Sequence, residues 1–130
     1  MARTLAADGW HVAINYHRSH YEAAKLLEEI QDKGGQGHLV QGDLRDQDIV
    51  AGLVAAAAKD APPLGLLVNN ASLFKIDDAL NMSLRSWEEH HAVNLRAPVF
   101  LTRDFAKLQT DGRTGLVVNL LDNKMFALNS

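Results

Sequence analysis

The sequence has 130 residues, 47% of them hydrophobic and 22% charged, with a formal charge of -3 and no cysteine. That size holds one domain at most, and the charge gives no sign of a nucleic-acid groove or of attraction to an anionic membrane. Disulfides are excluded, no apolar run approaches the roughly 20 residues that span a bilayer, no signal peptide is legible, and a cytoplasmic location is the default.

In chain order, Met1 to Asp8 reads as the last turns of a helix, with Gly9 just past its end. His11 to Tyr16 alternates apolar and polar residues and reads as a strand. His17, Arg18 and Ser19 follow, and Ser19-x-x-Glu22 has the form of a capping box. The spacing of Ala23, Leu26, Leu27 and Ile30 predicts a helix over 21–32, ended by Gly34 and Gly35. Gly37 to Gly42 is a second strand, ending at Asp43 and Leu44. Asp46 or Asp48 caps a helix that runs to about Lys59, where Pro62 and Pro63 break the pattern.

Leu64 to Asn69 is an apolar run that ends in Asn70, Ala71 and Ser72. Such a run reads as a strand buried on both faces, with a ligand-facing turn at its carboxyl end. The chain is then loop-like to Met82, and Ser83 is a candidate N-cap. A helix through Trp87, His91 and Val93 continues or restarts at Asn94. Between 94 and 109, Leu95, Val99, Phe100, Leu101, Phe105 and Leu108 form a broad apolar stripe, and Pro98 either kinks it or sits in its first turn. Leu116 to Leu121 reads as a further buried strand, ending at Asp122, and no pattern is settled after it.

The alternation of helix and strand predicts an α/β fold: a Rossmann-like doubly wound parallel sheet with helices on both faces, forming a single partial dinucleotide-binding domain over 1–130. Four polar strand ends then line one sheet edge: His17-Arg18-Ser19, Asp43, Asn69 to Ser72, and Asp122. Each alone has a plain reading as turn or cap chemistry. Together, Arg18 offers a guanidinium fork, Ser19 opens a helix N-terminus, and no carboxylate intervenes before Glu22. That cluster favours a 2′-phosphate over plain ribose hydroxyls, hence NADP(H).

His17-x-x-His20 and His90-His91 lack the ligand count of a metal site, so none is expected. Two Asn-x-Ser sequons, at Asn70 and Asn81, read as chance matches.

These residues resemble the short-chain dehydrogenase/reductase family. Asn69-Asn70-Ala71-Ser72 is similar to the family's Asn-Asn-Ala-Gly, with Ser for Gly. Asp43-Leu44 is similar to its adenine-holding pair, and Val93-Asn94-Leu95 to the segment whose asparagine supports a proton-relay water. Trp87-Glu88 and Phe100 to Arg103 fall at family spacings. A narrower resemblance is to pteridine reductases. Tyr16 to Ser19 is similar to their phosphate-binding turn, and Asn70 to Phe74 to their pterin segment, where the phenylalanine stacks on the ring. Asp122 stands where they carry an aspartate that takes part in protonation.

The resemblance implies a reductase using NADP(H) on a pterin- or dihydrofolate-like small molecule. Asp122 and Asn94 would be catalytic. His17, Arg18, Ser19, Asp43, Leu44, Asn70, Ala71 and Ser72 would hold the cofactor, and Phe74 the substrate. It also implies a homo-oligomer through the Leu95–Leu108 helix. The family's glycine-rich turn and its catalytic Tyr-x-x-x-Lys pair are not matched: the only tyrosines, Tyr16 and Tyr21, are both near the start and unsuitably placed for that role. The sheet is therefore expected to be incomplete at both ends, and the 130 residues alone to catalyse little. A non-catalytic nucleotide-binding or interaction fragment remains the alternative. A receiver-like or flavodoxin-like domain shares the alternation but not the Asn-Asn-Ala-Ser and His-Arg-Ser features.

Overall fold

The computed structural model describes residues 1–75, 78, 80–110 and 112–121. The chain forms two compact units, Met1–Pro63 and Leu64–Ser130.

In the first unit the elements are α1 (Ala2–Ala7), β1 (His11–Tyr16), α2 (His20–Asp32), β2 (Gln36–Gln41) and α3 (Gln47–Ala58). Strands β1 and β2 pair in parallel, His11 opposite Gln36 through Tyr16 opposite Gln41. Helices α1 and α2 end alike. Gly9 and Gly34 take positive φ, +89° and +79°, just past the helix. The amides of the two following positions close back on the last turn: Gly9 and Trp10 donate to Ala6 and Leu5, and Gly34 and Gly35 donate to Gln31 and Ile30. These are Schellman ends, which only a residue at ease with left-handed φ closes without strain.

Helices cover both faces of this strand pair. A Cβ at Gly37 would meet Leu27 of α2, whereas one at Gly42 would meet Leu53 and Ile49 of α3. Positions 37 and 42 differ by an odd number, so they point to opposite faces of β2. Val50, Leu53 and Val54 of α3, Ala23 and Ile30 of α2, and Val40 of β2 are buried between these layers. Asp46 caps α3 by accepting from the amides of Asp48 and Ile49 at 2.9 and 3.3 Å. The capping box at α2 does not form: Ser19 is the N-cap residue, but its side chain makes no cap hydrogen bond.

The second unit contains β3 (Leu66–Asn69), α4 (Leu84–His91), a π-helical turn (Ala92–Arg96), α5 (Ala97–Lys107) and β4 (Leu116–Asn119). Strands β3 and β4 pair in parallel, Leu66 opposite Leu116 through Asn69 opposite Asn119. Ser83 caps α4 through the Ser86 amide at 3.1 Å. The helix neither stops nor runs on regularly at Asn94; it widens by a π turn and continues. Pro98 sits in the first turn of α5, just past the π turn. Ala97, Leu101 and Phe105 form the buried face of α5, and the Phe105 ring lies where a Cβ at Gly115 would fall, at 2.6 Å.

The parallel α/β class expected of the sequence is present, and only the expected burial of the strands is corrected. The described strands form two separate pairs. The apolar strands are less covered than a doubly buried strand would be. Leu66 to Asn69 are half-buried and Leu116 is 61% exposed. Each described strand has a ladder partner on one side only. Among the described residues, no helix is long and apolar enough to cross a membrane.

Candidate functional site

At the carboxyl ends of β1 and β2 the parallel register brings Tyr16 and Gln41 side by side, so the residues that follow them meet. The Gly42 amide donates to Tyr16 O at 2.9 Å, and Asn15 Nδ2 donates to the carbonyls of Val40 and Gly42 at 3.1 and 3.3 Å. Gln41 Nε2 donates to His17 O at 3.3 Å. With both strand ends fixed, His17 Nε2 lies 3.3 Å from Asp43 Oδ2.

Asp43 is held from a second side by Arg45. Arg45 Nε donates to Oδ1 and Oδ2 at 3.0 and 3.1 Å, Nη2 to Oδ2 at 2.7 Å, and the Arg45 amide to Oδ1 at 3.0 Å. These bonds, the Arg45 side chain first, hold the Asp43 carboxyl down from the ordinary 3.8 to about 2 against the opposing effect of burial. Asp43 is thus anionic at neutral pH, and it also satisfies its own loop.

Arg18 is exposed and has no side-chain partner among the described residues. Beside it, Ser19 leaves the first amides of α2 without a side-chain cap. The result is a guanidinium next to the open N-terminus of a 13-residue helix, an arrangement suited to a phosphate. Leu44 is half-buried in the turn between Asp43 and Arg45.

In the second unit, β3 and β4 are locked at their ends by Asn69 Nδ2 donating to Asn119 Oδ1 at 2.8 Å. Asn70, Ala71 and Ser72 follow as exposed chain outside any helix or strand, and the Asn70 amide donates to Val68 O at 3.2 Å. Asn94, at the centre of the π turn, then grips the segment. Its Oδ1 accepts from the Leu73 amide at 2.8 Å and its Nδ2 donates to Leu73 O at 2.9 Å. One residue past Phe74, Lys75 pairs with Glu89 of α4, which also accepts from Arg85 Nε at 3.1 Å. The two cations, Lys75 first, hold the Glu89 carboxyl down to about 2. Phe74 therefore sits between two anchored neighbours and is 68% exposed. A π turn is a common device for placing one side chain out of helical register at a working site.

The structure brings His17 and Asp43 together, with Arg18 and Ser19 adjoining them, and it places Asn94 against the segment that carries Phe74. These two groups belong to different compact units. Asp122 lies outside the described residues. Arg45, Asn119, Lys75 and Glu89 were not legible as site residues. Only Arg45 carried a local signal, the Asp-x-Arg spacing that lets an arginine fold back on a turn aspartate. His90 and His91 divide as a helix face does: His90 is half-buried, while the exposed His91 lies against Trp87, ring centroids 4.0 Å apart. Among the described residues, no three potential metal ligands converge.

Known proteins resemble this chain along most of its length. A 3-oxoacyl-[acyl-carrier-protein] reductase of Staphylococcus aureus is 28% identical over 120 residues, covering 92% of this chain and 49% of the relative. Among solved structures, the FolM alternative dihydrofolate reductase 1 of Brucella canis, complexed with NADP, is 41% identical with a TM-score of 0.88. The match covers 96% of this chain and 50% of that one. Its counterpart from Brucella suis, also with NADP, is 40% identical with a TM-score of 0.89, over 98% of this chain and 54% of that one. The chain thus spans about half the length of the relatives it matches. The short chain dehydrogenase family matches residues 1–123, and the chain belongs to that family of oxidoreductases.

Proposed function

We propose that the chain carries the cofactor-binding part of an NADP(H)-dependent reductase acting on a pterin- or dihydrofolate-like substrate. The observation that carries the cofactor choice is Arg18, exposed beside the uncapped N-terminus of α2. His17, Arg18 and Ser19 would hold the 2′-phosphate, Asp43 and Leu44 the adenine, and Asn70, Ala71 and Ser72 the rest of the nucleotide. Both dihydrofolate reductase relatives bind NADP, which supports the assignment. When bound, NADP(H) supplies the hydride.

Phe74 offers a flat apolar face to a heteroaromatic ring, and its two anchored neighbours support that role. Asp122 takes part in delivering the proton, and Asn94 holds the substrate-side segment. If Asp122 acts in this way, Asp122→Ala abolishes pterin or dihydrofolate reduction by the active reductase; retention of full activity sinks its role. The protein acts in the cytoplasm. The one Tyr-x-x-x-Lys spacing in the 130 residues, Tyr21 to Lys25, falls in α2 beside the proposed phosphate site and not on the substrate side, so by themselves the residues turn over little. That same observation favours the second reading, a non-catalytic nucleotide-binding chain.

The cofactor assignment is tested by titrating the chain with 2′,5′-ADP and with 5′-AMP, followed by NMR shifts. The expected result is clear preference for 2′,5′-ADP, lost in Arg18→Ala by about tenfold or more, the scale of one charge-assisted phosphate contact. Equal binding of the two nucleotides would sink the NADP reading. Steady NADPH oxidation with dihydrobiopterin would refute the low turnover.

A further inference from the structure

Arg45 lies outside the residues assigned above to the cofactor, yet it dominates the environment of one of them. It supplies donors to both oxygens of Asp43 and reaches Oδ2 at 2.7 Å. His17 Nε2 reaches the same oxygen at 3.3 Å. The Arg45–Asp43 pair is partly buried, with side-chain exposures of 32% and 26%, so water screens it less than a surface pair.

The charges around this point can be followed one by one. Arg18 is a fixed cation beside His17. Asp46 is committed to the amides of α3, and Glu22 lies in the first turn of α2. Asp43 is the carboxylate in contact with His17. Left alone, its charge would oppose a phosphate dianion held by His17 and Arg18. Paired with Arg45, it forms a neutral unit and leaves Arg18 unopposed.

We propose that Arg45 is a specificity-determining residue: by neutralising Asp43 it keeps the adenosine end receptive to a 2′-phosphate while leaving the carboxylate in place for the adenine. The inference rests on assigning His17, Arg18 and Ser19 to that phosphate. Arg45 acts through Asp43 and through charge, so it should change discrimination between nucleotides more than adenosine binding itself.

The test uses the 130-residue chain and two probes, 2′,5′-ADP and 5′-AMP, titrated by NMR. Arg45→Gln is expected to reduce the preference for 2′,5′-ADP about tenfold, the effect of one unopposed charge at a partly screened site. Arg45→Lys, which keeps the charge and loses the fork, retains most of the preference. Asp43→Asn combined with Arg45→Gln removes both charges; it recovers the preference while affinity for both probes falls together. If Arg45→Gln does not fold, Arg45→Lys and the double variant carry the test, and a double variant without preference overturns the proposal. An unchanged preference in Arg45→Gln, or an equal loss for both probes, also overturns it. If Arg18→Ala erases the preference and Arg45→Gln does not, the NADP reading stands and this inference fails. If the unaltered chain shows no preference, both fail.

Discussion

The Asp43 carboxylate concentrates what single residues contribute here. It is a turn residue, an ion-pair partner and the proposed adenine contact at once, because the ends of two parallel strands deliver His17 and Arg45 to the same carboxylate. Its depressed pKa has a consequence for stability. A carboxyl that ionises more easily when folded stabilises the fold above its unfolded value, near 4, and loses that contribution as pH falls towards 2. The urea midpoint of the chain should therefore fall between pH 5 and pH 2. Arg45→Gln should lower it at pH 5 and flatten the decline, since Arg45 is the main cause of the shift. A variant that titrates like the parent would show that the pair contributes nothing. Asp43 and Arg18 stand out in the sequence because each follows the end of a strand, whereas Asn94 and Phe74 stand out only through the family resemblance. Glu89 does not stand out, because its partner Lys75 is 14 positions away and only the folded loop brings them together.

At the scale of elements, periodicity placed every helix and strand to within a few residues, and glycine marked the ends of α1 and α2. Local rules failed where they competed with something else. Ser19-x-x-Glu22 has the capping-box spacing, yet the Ser19 side chain makes no cap bond. The stripe from Leu95 to Leu108 read as one wide face and is two: Leu101 and Phe105 are buried, Leu95 and Val99 exposed. The π turn accounts for part of this, since one wide turn shifts every later residue around the axis. Close approach is also invisible in sequence. A Cβ on Gly37 would lie 2.6 Å from the carbonyl oxygen of Val12, its direct partner on β1. That atom belongs to a strand backbone and cannot swing aside. Gly37→Ala should cost about 1–3 kcal/mol, the range for overpacking, measured by urea unfolding. A loss below about 0.5 kcal/mol, typical of neutral surface changes, would mean that β1 and β2 are not in this register.

For the whole molecule, composition and alternation were enough to predict a parallel α/β fold, but not how many strands would find partners. Buried strands were expected from continuous apolar runs; among the described residues Leu66 to Asn69 are only half-buried and Leu116 is exposed. An exposed apolar surface also remains on the helices of the second unit. Leu84 and Trp87 on α4, Leu95 in the π turn and Val99 on α5 are 72%, 51%, 58% and 56% exposed. Large side chains exposed in number along connected helical segments are what a protein interface leaves when its partner is removed. The family resemblance implies a homo-oligomer through the Leu95–Leu108 helix, in which a second copy would cover Leu95 and Val99. Val99 has no hydrogen bond to lose, and a charge there costs little in an isolated chain, since the site is open to water. In an interface the same charge would be desolvated and unpaired, at a cost of several kcal/mol. Val99→Glu should therefore leave thermal stability at low concentration nearly unchanged and convert a self-associating chain to monomer in sedimentation velocity. Leu101→Glu, on the buried face, should instead unfold the unit. Identical sedimentation of the parent and Val99→Glu would place the contact between copies elsewhere and leave this helical surface to solvent.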